Sequence, residues 1–285
     1  MTVDIAPASA HKAPVTGQAP RDSGWRSKRG RSVAKRWGLP LLSVLVFLGI
    51  WQLVGASVNP ILFSTPSKVI SAFWDLIDNG TLLPAFASAM GDLAAGYALA
   101  AVVGIAAGVF VGRSELLERV ANPYINFFQA TPLIALVPLV VIWFGVGFKA
   151  RLFVVFMFAV WSILINTATG VKSTPRSLID VGSVYKLNRF QAIMSIALPS
   201  AVPSIFAGLR IGLGKALIGM IIAQMEISVS GLGGLVVNYG NSFETADLLA
   251  AIITASAVGV VAASGLELIR RVLFPWTKSD GLNSW

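Results

Sequence analysis

The residues best placed to do chemistry are a few polar groups set in hydrocarbon. Arg210 and Lys215 fall inside an apolar run at about 203–226, where a charge is expensive and ordinarily faces a cavity or another helix. They are five residues apart, about 140° around a helix, so they need not share a face. Arg210 comes early enough to snorkel toward headgroups, whereas Lys215 lies near mid-run, where a pore-facing position suits it. If either cation lines a pore, an anionic or zwitterionic solute would offset the cost of burying it. Asp92 or Glu226 would instead make these cations structural by pairing with them. Gln224 either contacts solute or bonds to a neighbouring helix.

Other chemistries find little support. The chain has no cysteine, and its one histidine, His11, lies in a polar N-terminal stretch, so no thiolate or histidine-pair metal site is expected. The spans hold no carboxylate cluster that would suggest an enzyme. "LRIGLGKA" at 209–216 approaches a phosphate loop, but Leu209 stands at the first glycine and Ala216 at the hydroxyl position. Nucleotide would have to be bound by another polypeptide.

The elements that carry these residues are membrane helices. Of 285 residues, 55% are hydrophobic and 12% charged, with mean hydropathy +0.76, against about 25% charged in soluble domains. The net charge of +9 gathers beside apolar runs, which fits lipid headgroups and orientation better than nucleic acid. Six runs approach the length needed to cross a bilayer, at about 39–58, 88–112, 122–146, 151–171, 203–226 and 247–269. The run from Leu39 to Val58 is too long for a signal-peptide core. Residues 1–36 are expected to form a disordered basic tail, and residues 37–285 the membrane domain.

With the tail in the cytoplasm, seventeen Lys and Arg lie inside and three outside, the latter being Lys68, Lys149 and Arg151. That asymmetry predicts cytoplasmic N- and C-termini. Gly96, Gly104, Gly108 and Gly112 recur at multiples of four and offer a neighbouring backbone close approach. "STPSKVISAFWDLIDNG" predicts a short amphipathic helix at the outer interface, capped by Ser64 or Thr65, entered at Pro66 and stopped at Gly80. Its apolar stripe is Val69, Phe73, Leu76 and Ile77.

Between the fourth and fifth runs, about 172–202, lies a polar island containing Asp180, Lys186, Asn188, Arg189 and Gln191. Thr174-Pro175 predicts a helix start, and Leu178, Val181, Val184 and Tyr185 make one apolar face. Asn188 breaks the run, and "RFQAIMSIA" predicts a second short helix. Pro199 and Pro203 are expected to separate that helix from the fifth span and fix its angle of entry. Such a hairpin is either a lever or a loop resting on headgroups.

The island resembles the signature loop of type I ABC importer permeases, which reads Glu-Ala-Ala, three residues, Gly, nine residues, Ile-x-Leu-Pro. Asp180, Val181 and Gly182 fall on the first three positions, Lys186 on the glycine, and Ile196, Leu198 and Pro199 on the closing triplet. "LFSTPSKVISAFWDLIDNGTL", "FFQATPLIALVPLVVIWFGVGFKARL" and "LPSAVPSIFAGLRIGLGKALIGMIIAQM" with "GLGGLV" are similar to the nitrate, sulfonate and taurine branch, which often has glutamate where Gln224 stands. The resemblance runs from about residue 38 to the C-terminus.

It implies an all-α, six-span permease of a bacterial inner membrane, paired with a second, identical permease subunit. Two ABC ATPase subunits would carry ATP and Mg, with no cofactor on this chain, and an extracytoplasmic binding protein would deliver solute. The loop, with Tyr185 alongside the motif positions, would be the ATPase-coupling element. An ATP-independent secondary transporter or channel is the alternative reading.

Overall fold

A computed structural model describes residues 33–59 and 61–274, and every regular element among them is helical. The helices are α1 (Val33–Ser57), α2 (Pro66–Asp78), α3 (Leu82–Gly112), α4 (Glu115–Ala130), α5 (Val137–Phe144), α6 (Phe148–Lys172), α7 (Arg176–Val184), α8 (Arg189–Ala192), α9 (Leu198–Glu226), α10 (Gly231–Asn241) and α11 (Thr245–Leu273). Five helical stretches among the described residues are long and apolar enough to cross a membrane, and a bent pair brings the number to six. The chain divides into two compact units between Leu48 and Gly49, inside α1. The described part of the first unit is the opening of that helix, and α2 to α11 all belong to the second. Residues 1–32 of the expected tail and Lys278 lie outside the described residues.

Helix α6 is the centre of the second unit. The added methyl of an alanine at Gly96 would stand 2.8 Å from the Leu152 carbonyl oxygen, at Gly104 3.1 Å from that of Val160, and at Gly108 2.7 Å from that of Leu164. Ala100, fully buried, continues the same line. An adjoining side of α6, which shares Ile163 with the first, meets α9 in the same manner. Gly208 lies against Asn166 and the Ser162 carbonyl, Gly212 against Ile163, and Gly219 against the Phe158 ring. In lipid, where apolar side chains gain little by leaving one hydrocarbon for another, helix association rests on such close packing.

Helix α2 is built as its sequence predicts, with the Thr65 hydroxyl accepting from the Lys68 N–H and Gly80 at φ +72°. Its placement differs. Val69, Ala72 and Leu76 are buried and α2 packs on α11, so the stripe faces protein rather than the outer interface.

The third expected span is broken. Helix α4 and the segment Leu133–Phe144 meet at 92°. Thr131 is extended there, at ψ 129°, because the ring of Pro132 disfavours the helical conformation in the residue before it.

Two substitutions test the seam. Gly108→Val should lower the melting temperature of the purified protein by several degrees, as overpacking costs about 1–3 kcal/mol. Gly91→Ala, where nothing lies within 4 Å of the new methyl, should leave stability unchanged or raise it by up to about 1 kcal/mol. Thermal unfolding in detergent reads both.

Candidate functional site

The polar island folds as a tight hairpin of α7 and α8. The end of α7 is closed by two bonds, from the Lys186 N–H to the Ser183 carbonyl (3.0 Å) and from the Leu187 N–H to the Gly182 carbonyl (3.1 Å). This closure needs a left-handed residue just past the helix, usually glycine. Lys186 supplies it at φ +51°, so the turn that a glycine would make easily is made here by a lysine under strain. Asn188 then opens α8. Its side chain accepts from the Gln191 N–H (2.8 Å) while the Gln191 side chain accepts from the Asn188 N–H (2.9 Å), a reciprocal cap. Gly182 faces Ile196, whose tip would lie 2.7 Å from an added methyl, and this fixes the distance between the two arms.

Two expectations are corrected in this loop. Thr174 does not cap α7; its hydroxyl donates to the Val171 carbonyl (2.8 Å) and pairs with the Ser200 hydroxyl (3.0 Å), tying the loop's start to the head of α9. Pro199 and Pro203 do not separate the second short helix from the fifth span, because helix runs on from Phe190 to Glu226. A wide π turn at Ile193–Ala197 makes this possible, with the Leu198 N–H donating to the Ile193 carbonyl. In a regular α-helix the Pro199 ring would press on the carbonyl four residues back and leave it without a donor. The wider turn relieves that conflict. Leu198 packs against the core while Asp180, Tyr185 and Pro199 are exposed.

The apolar face of the hairpin has no cover among the described residues. Val184 and Tyr185 are 79% and 75% exposed, and Leu178, Val181, Phe190 and Met194 are exposed too.

On α9, Arg210, Ile211, Gly214 and Ile218 form an exposed strip, whereas Lys215 is half-buried and falls at helical spacing between Gly212 and Gly219, on the flank that meets α6. Among the described residues neither cation has a salt-bridge partner. The alternative of pairing with Asp92 or Glu226 is thereby overturned: Glu226 is exposed, and Asp92 is held elsewhere.

Asp92 belongs to a buried network. Its Oδ2 accepts from Arg151 Nε (2.9 Å) and from Gln224 Nε2 (2.8 Å), while Gln224 Oε1 accepts from the Gly233 N–H (3.0 Å). Arg151 also donates to the Ser228 hydroxyl (2.6 Å), which pairs with that of Ser230 (3.1 Å). The network joins α3, α6, α9 and α10 at one end of the bundle. Gln224 is fully buried, with both polar atoms engaged in this clamp. Gly231 is at φ +61° and passes so close to the Gln224 amide that a side chain would collide with it. Sequence reasoning counted Arg151 as an outer-loop charge. The signal that could have placed it was Asp92 itself, an acid inside a span that requires a cation within reach.

Residues 100–279 match the model of the family described as "Binding-protein-dependent transport system inner membrane component". The chain belongs to this family. It is a multi-pass membrane transport component, as its spans require. Among its relatives is the bicarbonate transport system permease protein CmpB of Synechocystis sp., 31% identical with 94% of this chain and 98% of that protein covered. The putative aliphatic sulfonates transport permease protein SsuC of Bacillus subtilis is 30% identical at the same coverage. The nitrate import permease protein NrtB of Leptolyngbya laminosa is 33% identical over 77% of this chain and 81% of its own. In fold, the family member resembles a chain of the inward-facing MetNI methionine ABC transporter, with TM-score 0.52, 18% identity and coverage of 65% and 95% of the two chains.

Asp92→Ala should lower unfolding stability by about 3–5 kcal/mol, because it strands Arg151 in a site with little water. Adding Arg151→Met should recover part of the loss. Lys186→Gly should raise stability by about 1 kcal/mol by relieving the left-handed strain. Denaturation of the purified variants in detergent measures all three.

Proposed function

We propose that this chain is the membrane-spanning subunit of an ATP-driven importer of a small oxyanion or zwitterion, working as a pair with two ATPase subunits and an extracytoplasmic binding protein. The observation that carries the reading is the hairpin of α7 and α8. It presents an uncovered apolar face and is continuous in helix with α9, so a partner seated on it would move α9 directly. A headgroup-resting loop would have no need of two capped ends and a tie at Thr174–Ser200.

ATP and Mg belong in this scheme to the partner, since the sequence holds no phosphate loop. The hairpin end faces the cytoplasm and the Asp92–Arg151 end faces outward, following the distribution of Lys and Arg. The solute class rests on Arg210 and Lys215, two cations on different sides of α9 without a carboxylate partner among the described residues, together with the nitrate, bicarbonate and sulfonate relatives.

Val184→Asp, at a position 79% exposed, should leave thermal stability unchanged but abolish co-purification with the ATPase. Retained binding would overturn the coupling role. In vesicles reconstituted with ATPase and binding protein, Lys215→Met should reduce uptake of the anion at least about tenfold, a barrier change of ~1.4 kcal/mol, with the ATPase still bound. Unchanged uptake would remove Lys215 from the path.

A further inference from the structure

The clamp around Asp92 contains a mismatch. Oδ2 of Asp92 accepts two bonds, from Arg151 Nε and Gln224 Nε2, while Oδ1 accepts none among the described residues. Asp92 is 1% exposed, so bulk water does not reach the idle oxygen. A buried carboxylate oxygen without a donor is costly and rare. The missing donor is close by. A guanidinium carries parallel N–H groups on Nε and Nη2, and its strongest hold on a carboxylate uses two such bonds, one to each oxygen. Only Nε is engaged on Asp92, and Nη2 makes no hydrogen bond among the described residues.

Ser228 accounts for the mismatch. Its hydroxyl takes the third nitrogen, Nη1, at 2.6 Å, and holds the fork turned away from Oδ1. The same hydroxyl pairs with that of Ser230 at 3.1 Å. Ser230 is the N-cap of α10, where a serine hydroxyl ordinarily accepts from the N–H two or three residues on. It makes no such bond here. Ser228 thus keeps both Arg151 and Ser230 from the partners that their own chemistry prefers.

We propose that Arg151 is a two-position latch on the connection between α9 and α10. In the position seen here it is shared between Asp92 and Ser228, and residues 227–230 are fastened to the bundle. In the other it forks onto both oxygens of Asp92, Ser228 lets go, and the Ser230 hydroxyl turns to accept from the Leu232 N–H. Bonds lost in one position are matched by bonds gained in the other, so a modest differential force selects between them. The connection is built to move: Val229 is 54% exposed, and α10 begins at Gly231, whose φ is +61°. Gln224, in the last turn of α9, grips the Gly233 N–H, so a shift of α9 reaches the latch directly. Arg151 is thereby a positioning residue, which sets where α10 starts and does not touch solute. Driving the shift from the hairpin at the far end of α9 rests on the importer reading above; the two positions of Arg151 do not.

The chain has no cysteine, so a nitroxide label on Val229→Cys reports on the connection alone. Glu226→Cys, also exposed, serves if the first variant fails to fold. The full chain is placed in lipid nanodiscs and its electron paramagnetic resonance spectrum recorded. Two discrete components, held and freed, are expected. Ser228→Ala should raise the ratio of freed to held about tenfold, the weight of one hydrogen bond to a charged group. Ser228→Thr, which keeps the hydroxyl, should leave the ratio as it was. Because the fork replaces the lost bond, Ser228→Ala should not change the melting temperature. A ratio unmoved by Ser228→Ala, a single component that only becomes more mobile, or a melting temperature lowered by several degrees would each overturn the latch, the last two by making Ser228 a fixed tie. In the complex with the ATPase, adding ATP and vanadate should shift the same ratio. A ratio that responds to Ser228→Ala but not to nucleotide sinks the drive from the hairpin and leaves the latch standing.

Discussion

The close approach of α3 and α9 to α6 is the interaction on which the rest of this structure depends. Without side chains at Gly96, Gly104 and Gly108 on one partner and Gly208 and Gly212 on the other, the three backbones reach contact along most of their length. Burying apolar surface is a weak force between helices in a lipid environment, so dispersion over these matched surfaces must hold the bundle. The buried network adds direction. Asp92, Arg151, Gln224 and Gly233 each come from a different helix, and their bonds fix the registry of all four at one end.

The other end is organised differently. There the bundle continues into a hairpin whose two arms are closed by backbone and amide bonds rather than by a core, and whose apolar face is left bare. Helix α9 belongs to both ends. One side is locked into the seam with α6, with Lys215 half-buried on its flank, and another is open and carries Arg210. In the proposed mechanism this division allows a push on the hairpin to travel along a single helix to the surface that meets the solute.

Much of this was legible in the residues. The glycine repeat predicted a close helix contact, the Thr65-Pro66 start and Gly80 stop bounded α2, and the spacing from Asp180 to Pro199 marked the hairpin. What escaped depended on partners distant in sequence. The stripe of α2 has the same pattern whether it faces lipid or α11. Arg151 reads as a loop cation until its neighbour at Asp92 is known. The 92° bend at Thr131-Pro132 was hidden because hydropathy averages over a window and does not register a single extended residue. Continuity through Pro199 was missed for a related reason: proline predicts a break, and only the backbone shows that a wider turn absorbs the ring.

Gln224 has one further consequence. It is the member of the clamp that touches both Asp92 and the backbone of α10, and a carboxamide neither gains nor loses a proton between mild acid and mild alkali. A glutamate in its place would bring two carboxyl groups together and make the joint sensitive to the acidity of its surroundings. With glutamine, the fastening of α10 to the bundle does not depend on the ionisation of this side chain.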